Sequence, residues 1–196
     1  AVAMNYDLDK VIGENETGFR GHDDLLYRTE GWDFLLAGGA LYNNLDYSFT
    51  ASHPDGTLRG YQSPGGGSVE LRQQLGILKT FLTGFDFIQM RPDNSVVRRV
   101  SPKLTTHTLA HVGQEYAIYL HVPLPNKPKR LADHLRSNIE AKLTVKLPAG
   151  QYTAEWLDPL RGDVTQTDRI KHRGGDIELR SPRFADDVAL RIRRLP

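Results

Sequence analysis

The sequence has no cysteine among its 196 residues. Disulfide bonds and thiolate zinc sites are therefore excluded, and cysteine usage does not indicate a redox compartment. No apolar run reaches the roughly 18 residues of a membrane-spanning helix, and the first residues lack the order of a signal peptide. Neither sign of charge is in clear excess, because the sequence has 25 Lys and Arg and 24 Asp and Glu. We therefore expect neither nucleic acid nor a membrane as a partner.

What is present is an ordinary globular composition whose pattern changes near residue 90. Before that point, apolar spacing predicts strands at 11–15 and 41–49 and helices at 23–37 and 68–82. Ser68 is the expected cap of the second helix. Alternating strands and helices are typical of βα units on a parallel sheet, although two such units cannot close a sheet alone.

After residue 90, apolar residues alternate with polar ones. The alternation recurs around Tyr116, Leu143, Tyr152 and Val188, and Pro, Gly and Asp turns separate the segments. Such half-buried strands predict an antiparallel β-sandwich of roughly seven or eight strands.

Two carboxylates stand in the stretch KVIGENETGF, at residues 10–19, directly after a short apolar run. Glycoside cleavage uses a pair of Asp or Glu side chains, one as the acid/base and one as the nucleophile or base. In barrel enzymes such groups lie where strands end. Glu14 and Glu16 are therefore candidate catalytic residues, and a charged turn without a catalytic role is the alternative.

The same stretch resembles the pattern K-P-[IV]-x-[IV]-[TS]-E-x-G, which ends the seventh strand of many retaining glycoside hydrolases of the large (β/α)8 clan. In an ungapped alignment the nucleophile of that pattern falls on Glu16 and its glycine on Gly18. Val11 replaces the proline, and Glu14 replaces an apolar residue. Glu14 therefore stays an alternative nucleophile.

Longer segments are similar to bacterial apiosidase-like glycoside hydrolases. WDFLLAGGALYNNLDYSF (32–49) resembles the helix and eighth strand of these barrels, and 63–93 resembles the last barrel helix and the exit from the barrel. GQYTAEWLDPLRGDV (150–164) and FADDVALRI (184–192) resemble the small β domain that follows, which is labelled a collagen-binding domain of collagenases.

The resemblance implies a mixed fold, with terminal βα units of a (β/α)8 barrel at 1–90 and an antiparallel β-sandwich accessory domain at 91–196. It further implies the C-terminal portion of a secreted or periplasmic glycoside hydrolase that acts on a polysaccharide or glycoside. That chemistry needs no cofactor. The acid/base would come from upstream barrel residues of the same parent chain, so we expect this chain alone to be inactive.

Residues near the end of the second predicted strand are candidates for sugar binding, because aromatic rings stack on sugars and amides form hydrogen bonds with them. They are Tyr42, Asn43, Asn44, Asp46 and Tyr47. The alternative assigns them to the core and to a polar loop. The histidines have no recognised metal spacing, so no metal site is expected.

An alternative hypothesis assigns the β-sandwich a non-catalytic function. The sandwich would then be an accessory module that binds carbohydrate or collagen, or one that covers the barrel. A binding module should expose a row of aromatic side chains, whereas a packing domain should bury Tyr116, Tyr152 and Trp156.

Overall fold

A computed structural model describes residues 2–8, 10–17 and 19–196 of the chain. Gly18, the glycine of the hydrolase-like pattern, lies outside the described residues. The first part contains α1 (Val2–Asn5), β1 (Gly13–Thr17), α2 (Asp24–Leu36), β2 (Leu41–Asn44) and α3 (Val69–Thr83). No helix in the described ranges is both long enough and apolar enough to cross a bilayer.

The strands β1 and β2 pair in parallel, and α2 connects them. With α3 after β2, the order is the strand, helix, strand, helix that the sequence predicts. The second strand is shorter than expected, because it ends at Asn44 and not at 49. The backbone N–H of Ser48 donates a 3.0 Å hydrogen bond to the Asp46 carboxylate. Such local side-chain hydrogen bonds compete with the backbone hydrogen bonds of a sheet. The residues after Asn44 therefore form a turn, although the alternation of apolar residues continues through them.

Helix α3 begins and ends as its sequence indicates. The Ser68 hydroxyl accepts a 2.8 Å hydrogen bond from the backbone N–H of Leu71, and Gly84 follows the last turn. Leu78 and Phe81 lie on its buried face. Asp23 occupies the cap position of α2, but its side chain forms no capping hydrogen bond.

The remainder is antiparallel sheet with short 3-10 turns. One sheet has six strands in the order β3-β5-β6-β11-β8-β9, and a second has three in the order β10-β7-β4. The strands are β3 (Arg91–Pro92), β4 (Val97–Ser101), β5 (Thr105–His111), β6 (Glu115–His121), β7 (Lys142–Leu147), β8 (Gly150–Leu157), β9 (Val164–His172), β10 (Gly175–Arg180) and β11 (Asp187–Arg194).

The two sheets pack face to face over one hydrophobic core, as the alternation predicts. Tyr116, Tyr152 and Trp156 are fully buried in that core. Leu143 and Val145 supply the facing layer from the three-stranded sheet. These three aromatic side chains therefore pack the sandwich and do not form an exposed platform.

A second core lies on the other face of the six-stranded sheet, against α2 and α3. Trp32 stacks on Tyr119 with ring centroids 4.9 Å apart, and Phe81 lies 4.9 Å from Trp32. Strand β6 is consequently buried on both faces. The division into 1–90 and 91–196 stays a prediction, and this core connects the two sides of it.

Candidate active site

The carboxyl ends of β1 and β2 lie at the same edge of their parallel pair. In parallel α/β folds this edge and the loops that leave it form the ligand site. The loop after β1 leads to α2, and a long loop after β2 leads to α3. All of the candidate site residues lie on these strands or in the segment just after β2.

Glu14 and Glu16 differ in their surroundings. Thr17 is buried, and its hydroxyl donates a hydrogen bond to Glu30 of α2. Glu16, the residue before it, is exposed. Glu14 is half-buried and pairs in register with Tyr42, whose hydroxyl donates 3.1 Å hydrogen bonds to Glu30 and to the Tyr27 carbonyl.

A β-bulge explains why the two acids differ. The register shifts between Glu14 and Thr17, so β1 has one more residue there than β2. A bulge changes the alternation of side chains at that point. Glu14 pairs with Tyr42, which contacts α2, whereas Glu16 lies within the bulged segment and is exposed.

Glu30 connects both strands to α2, a role that no sequence pattern indicates. It accepts hydrogen bonds from Thr17 and Tyr42, and Arg20 lies 3.6 Å from its second oxygen. Burial, followed by the charge of Glu30, raises the pKa of Tyr42 above its ordinary value. A single glutamate within a helix has no sequence signal that distinguishes this role from a solvated one.

Asn43 and Asn44 stay close to the strand ends. Asn43 is exposed, and its amide donates a 3.0 Å hydrogen bond to the backbone carbonyl of Asn15. The Asn44 amide donates to the carbonyl of Leu45 at 3.3 Å. Within the described part of the chain, the buried side-chain oxygen of Asn44 has no hydrogen-bond partner.

Asp46 and Tyr47 belong to the turn after β2. Asp46 forms an ion pair with Arg72 of α3, so its carboxylate is already occupied. The ring of Tyr47 lies 6.5 Å from that of Tyr61, and the two planes differ by 28°. Tyr61 in turn lies 5.4 Å from the ring of His22. Tyr61 comes from the Gly/Pro-rich loop, where no sequence pattern singled it out.

A cavity of about 180 Å³ lies between the two loops. His22, Arg59, Tyr61 and Ser68 are among its lining residues. A wider depression of about 790 Å³ shares His22, Arg59 and Ser68, and also includes Asp24. Burial raises the pKa of Asp24, although the Ser68 hydroxyl that donates to it opposes the rise.

An apolar cavity of about 450 Å³ lies elsewhere, between α2, α3 and β5. Leu35, Leu78, Met90 and Leu109 line it, and no acidic side chain is among the described residues around it. It therefore lacks the carboxylate pair that glycoside cleavage uses. Across residues 2–8, 10–17 and 19–196, no group of three or more His, Asp or Glu side chains could hold a metal ion.

Comparison with solved structures shows that the fold is shared with glycoside hydrolases. A structure described as "Glycoside hydrolase" aligns with a TM-score of 0.55 and 13% identity, over 88% of this chain and 37% of that chain. A family 5 glycoside hydrolase from Bacteroides vulgatus ATCC 8482 aligns with a TM-score of 0.56 and 13% identity. That alignment covers 88% of this chain and 36% of the other.

This chain thus spans little more than a third of the length of these two structures. No protein-family model matches the sequence, and no curated protein matches it. At 13% identity the likeness concerns the fold.

Proposed function

We propose that this chain is the C-terminal portion of a glycoside hydrolase that acts on a polysaccharide or glycoside. In this proposal, 1–90 supply the terminal βα units of a (β/α)8 barrel, and 91–196 form its accessory β-sandwich. The parallel β1-α2-β2 unit, followed by two packed antiparallel sheets, supports it. So does the fold shared with two glycoside hydrolases over 88% of this chain.

The observation that carries the proposal is the position of Glu16. It is an exposed carboxylate next to the end of a parallel strand. That is where barrel enzymes present catalytic groups. Glu14 is a weaker candidate, because it is half-buried and pairs with Tyr42, whose hydroxyl forms a hydrogen bond with Glu30 of α2.

In the proposed retaining mechanism, Glu16 attacks the anomeric carbon while an acid/base carboxyl protonates the departing oxygen. Water then attacks the glycosyl ester, and the second carboxyl accepts its proton. The acid/base belongs to upstream barrel residues of the parent chain, so this chain alone would be inactive. Thr17, bonded to Glu30, would fix the strand end beside the nucleophile.

The proposed sugar-binding residues divide into two groups. Asn43, Asn44 and Tyr47 remain candidates for direct contact, because Asn43 is exposed and the Asn44 oxygen is unpaired among the described residues. Tyr42 and Asp46 are bonded to Glu30 and Arg72, so we assign them a positioning role.

The test replaces Glu16 with Gln in the full-length enzyme. We expect an activated aryl glycoside to be hydrolysed about a thousandfold or more slowly, because the nucleophile is lost. Glu14→Gln is the matched control, and we expect its rate to stay within about tenfold. Azide should restore turnover to Glu16→Ala by replacing the carboxylate. Unchanged turnover in Glu16→Gln would remove Glu16 from the mechanism.

A second candidate is a sandwich that only covers and stabilises the barrel. Full burial of Tyr116, Tyr152 and Trp156 favours this structural role over a module that binds sugar through an aromatic platform. A sandwich of this kind should not be retained on insoluble neutral polysaccharide or on collagen. Retention of either would favour the binding module.

A further inference from the structure

The outer face of the three-stranded sheet carries several exposed cations. Strand β7 is the central strand. Leu143 and Val145 are fully buried between the sheets, whereas Lys142 and Lys146 are exposed. Because side chains alternate along a strand, both lysines lie on the face that points away from the core.

Two arginines join them through a bulge in β4. Val97 and Val100 both pack against the sandwich core although they are three positions apart, which strict alternation does not allow. The register shifts between Val97 and Arg99, so one extra residue is inserted there. Arg98 and Arg99 are consequently both exposed. A bulge redirects side chains in this way.

Acidic residues of the same sheet offset only part of this charge. Arg98, Arg99, Lys142 and Lys146 form no ion pair among the described residues. Among the described residues of β4, β7 and β10, the acids lie on β10, where Glu178 forms a 3.2 Å ion pair with Arg180 and Asp176 stands opposite Lys146. We name the four residues the basic face.

Lys142 also stands directly opposite Arg180 in the β7-β10 register. Like charges opposite each other destabilise a sheet. Protection of an exposed edge would explain cations on β4, since charged edge strands resist aggregation. It does not explain cations on β7, which has a neighbour on both sides. An anionic ligand would neutralise both.

The chemistry of the face limits the ligand. The segments VRRVS, KLTVKL and GDIELR contain no aromatic residue. The face therefore lacks the rings on which neutral sugars or unpaired bases stack. Arg98 and Lys146 also line a cavity of about 290 Å³ at one end of the face, together with Ser95 and Asp93. Arginine and lysine at such a site match carboxylate groups.

We propose that the basic face binds an acidic polysaccharide, a polymer with carboxylate groups on successive sugar units. The choice of a saccharide over another polyanion rests on the proposed function, whereas the preference for anions rests on the four cations alone. The site would hold a charged polymer against the accessory sandwich, on a surface separate from Glu16.

Affinity electrophoresis of the 196-residue chain tests this, with polygalacturonate and its fully methyl-esterified form as probes. The two polymers differ in charge and share a backbone. We expect binding to polygalacturonate only, and binding that weakens as salt increases. Arg99→Gln/Lys142→Gln/Lys146→Gln should bind roughly tenfold more weakly, because three exposed charge contacts are lost.

The control variant, Lys79→Gln/Lys127→Gln/Lys129→Gln, removes the same number of positive charges from other positions. Its affinity for polygalacturonate should stay within about twofold of that of the unsubstituted 196-residue chain. Circular dichroism checks that both variants fold. The proposal would be overturned if the unsubstituted chain bound neither polymer, or if it bound the esterified polymer as tightly as polygalacturonate. It would also be overturned if both triple variants lost affinity to the same extent. So would tighter binding of single-stranded DNA, which would make nucleic acid the partner. Binding is measured without turnover, so its result is independent of the Glu16 experiment.

Discussion

The guanidinium of Arg28, in α2, donates two 2.9 Å hydrogen bonds to the carboxylate of Asp187, in β11. Both side chains are buried. Gln74 accepts a third hydrogen bond from Arg28 at 2.7 Å, and the Tyr119 hydroxyl donates to Asp187 at 2.8 Å. This network joins both long helices to the six-stranded sheet, beside the apolar contacts of the second core.

Loss of one member of this pair should destabilise the protein strongly. Asp187→Asn leaves a buried cation without its counterion, so we expect the free energy of unfolding to fall by about 3–5 kcal/mol. Arg28→Met/Asp187→Leu removes both charges and should cost less than Asp187→Asn alone. Urea unfolding measures both. If the double variant were the less stable one, the buried pair would be a net source of stability.

The stability of the helix–sheet contact should depend on pH through His121. Burial lowers its pKa, but the hydrogen bond and charge of Asp33, 3.0 Å away, outweigh burial and hold the pKa above its ordinary value. His107, 3.6 Å from the other Asp33 oxygen, shares the same carboxylate. The stabilisation is therefore complete below the unfolded pKa of about 6.5 and is lost as pH rises through the raised folded value.

Urea unfolding between pH 5.5 and pH 9 checks this prediction. The free energy of unfolding of the unsubstituted chain should fall as pH rises, because the stabilisation by protonated His121 is lost. His121→Gln should not show that part of the fall. His111→Gln is the matched control, because His111 is only half-buried and lies at the end of β5. An identical pH profile for His121→Gln and the parent chain would contradict the assignment.

The sandwich core should depend on Trp156. The side chain is fully buried between the sheets, so Trp156→Ala should cost about 3–5 kcal/mol through lost burial and the cavity that remains. Leu160→Ala changes a side chain that is 48% exposed and should cost no more than about 0.5 kcal/mol. Thermal unfolding compares them. A small loss in Trp156→Ala would mean that the sheets can close over the cavity.

The start of α3 should depend on the Ser68 hydroxyl. Ser68→Ala removes the cap that accepts from Leu71, so we expect a loss of about 1 kcal/mol. It also removes a donor to Asp24, whose pKa burial already raises, so that pKa should rise further. Denaturant unfolding and NMR titration measure the two effects. Ser137→Ala, at an exposed position, is the control and should change neither.

Local signals in the sequence predicted much of the framework. Helix α3 follows from Leu71 and Leu78 at helical spacing and from the Ser68 cap, which are interactions within a few residues. The predicted second strand is longer than the observed one, because Leu45 and Tyr47 keep the alternation of apolar residues while Asp46 forms a turn. Alternation alone cannot distinguish a strand from a turn that preserves it.

The candidate site was predictable only in part. The acidic stretch marked Glu14 and Glu16, and the structure adds that Glu14 is half-buried and Glu16 exposed, beside a bulge that no local pattern indicates. Glu30 and Tyr61 were missed because each takes its role from residues on another element.

The sequence alone determined the type and approximate place of the helices and most strands, because backbone periods of about 3.6 and two residues are local properties. It also determined that the second half forms antiparallel sheet. Only the tertiary structure decided which face each side chain takes and what it meets there. Arg28 and Asp187 are 159 positions apart, and they pair because packing two helices against β6 and β11 encloses both charges. A contact at that separation depends on the packing of whole elements, which no short sequence window contains.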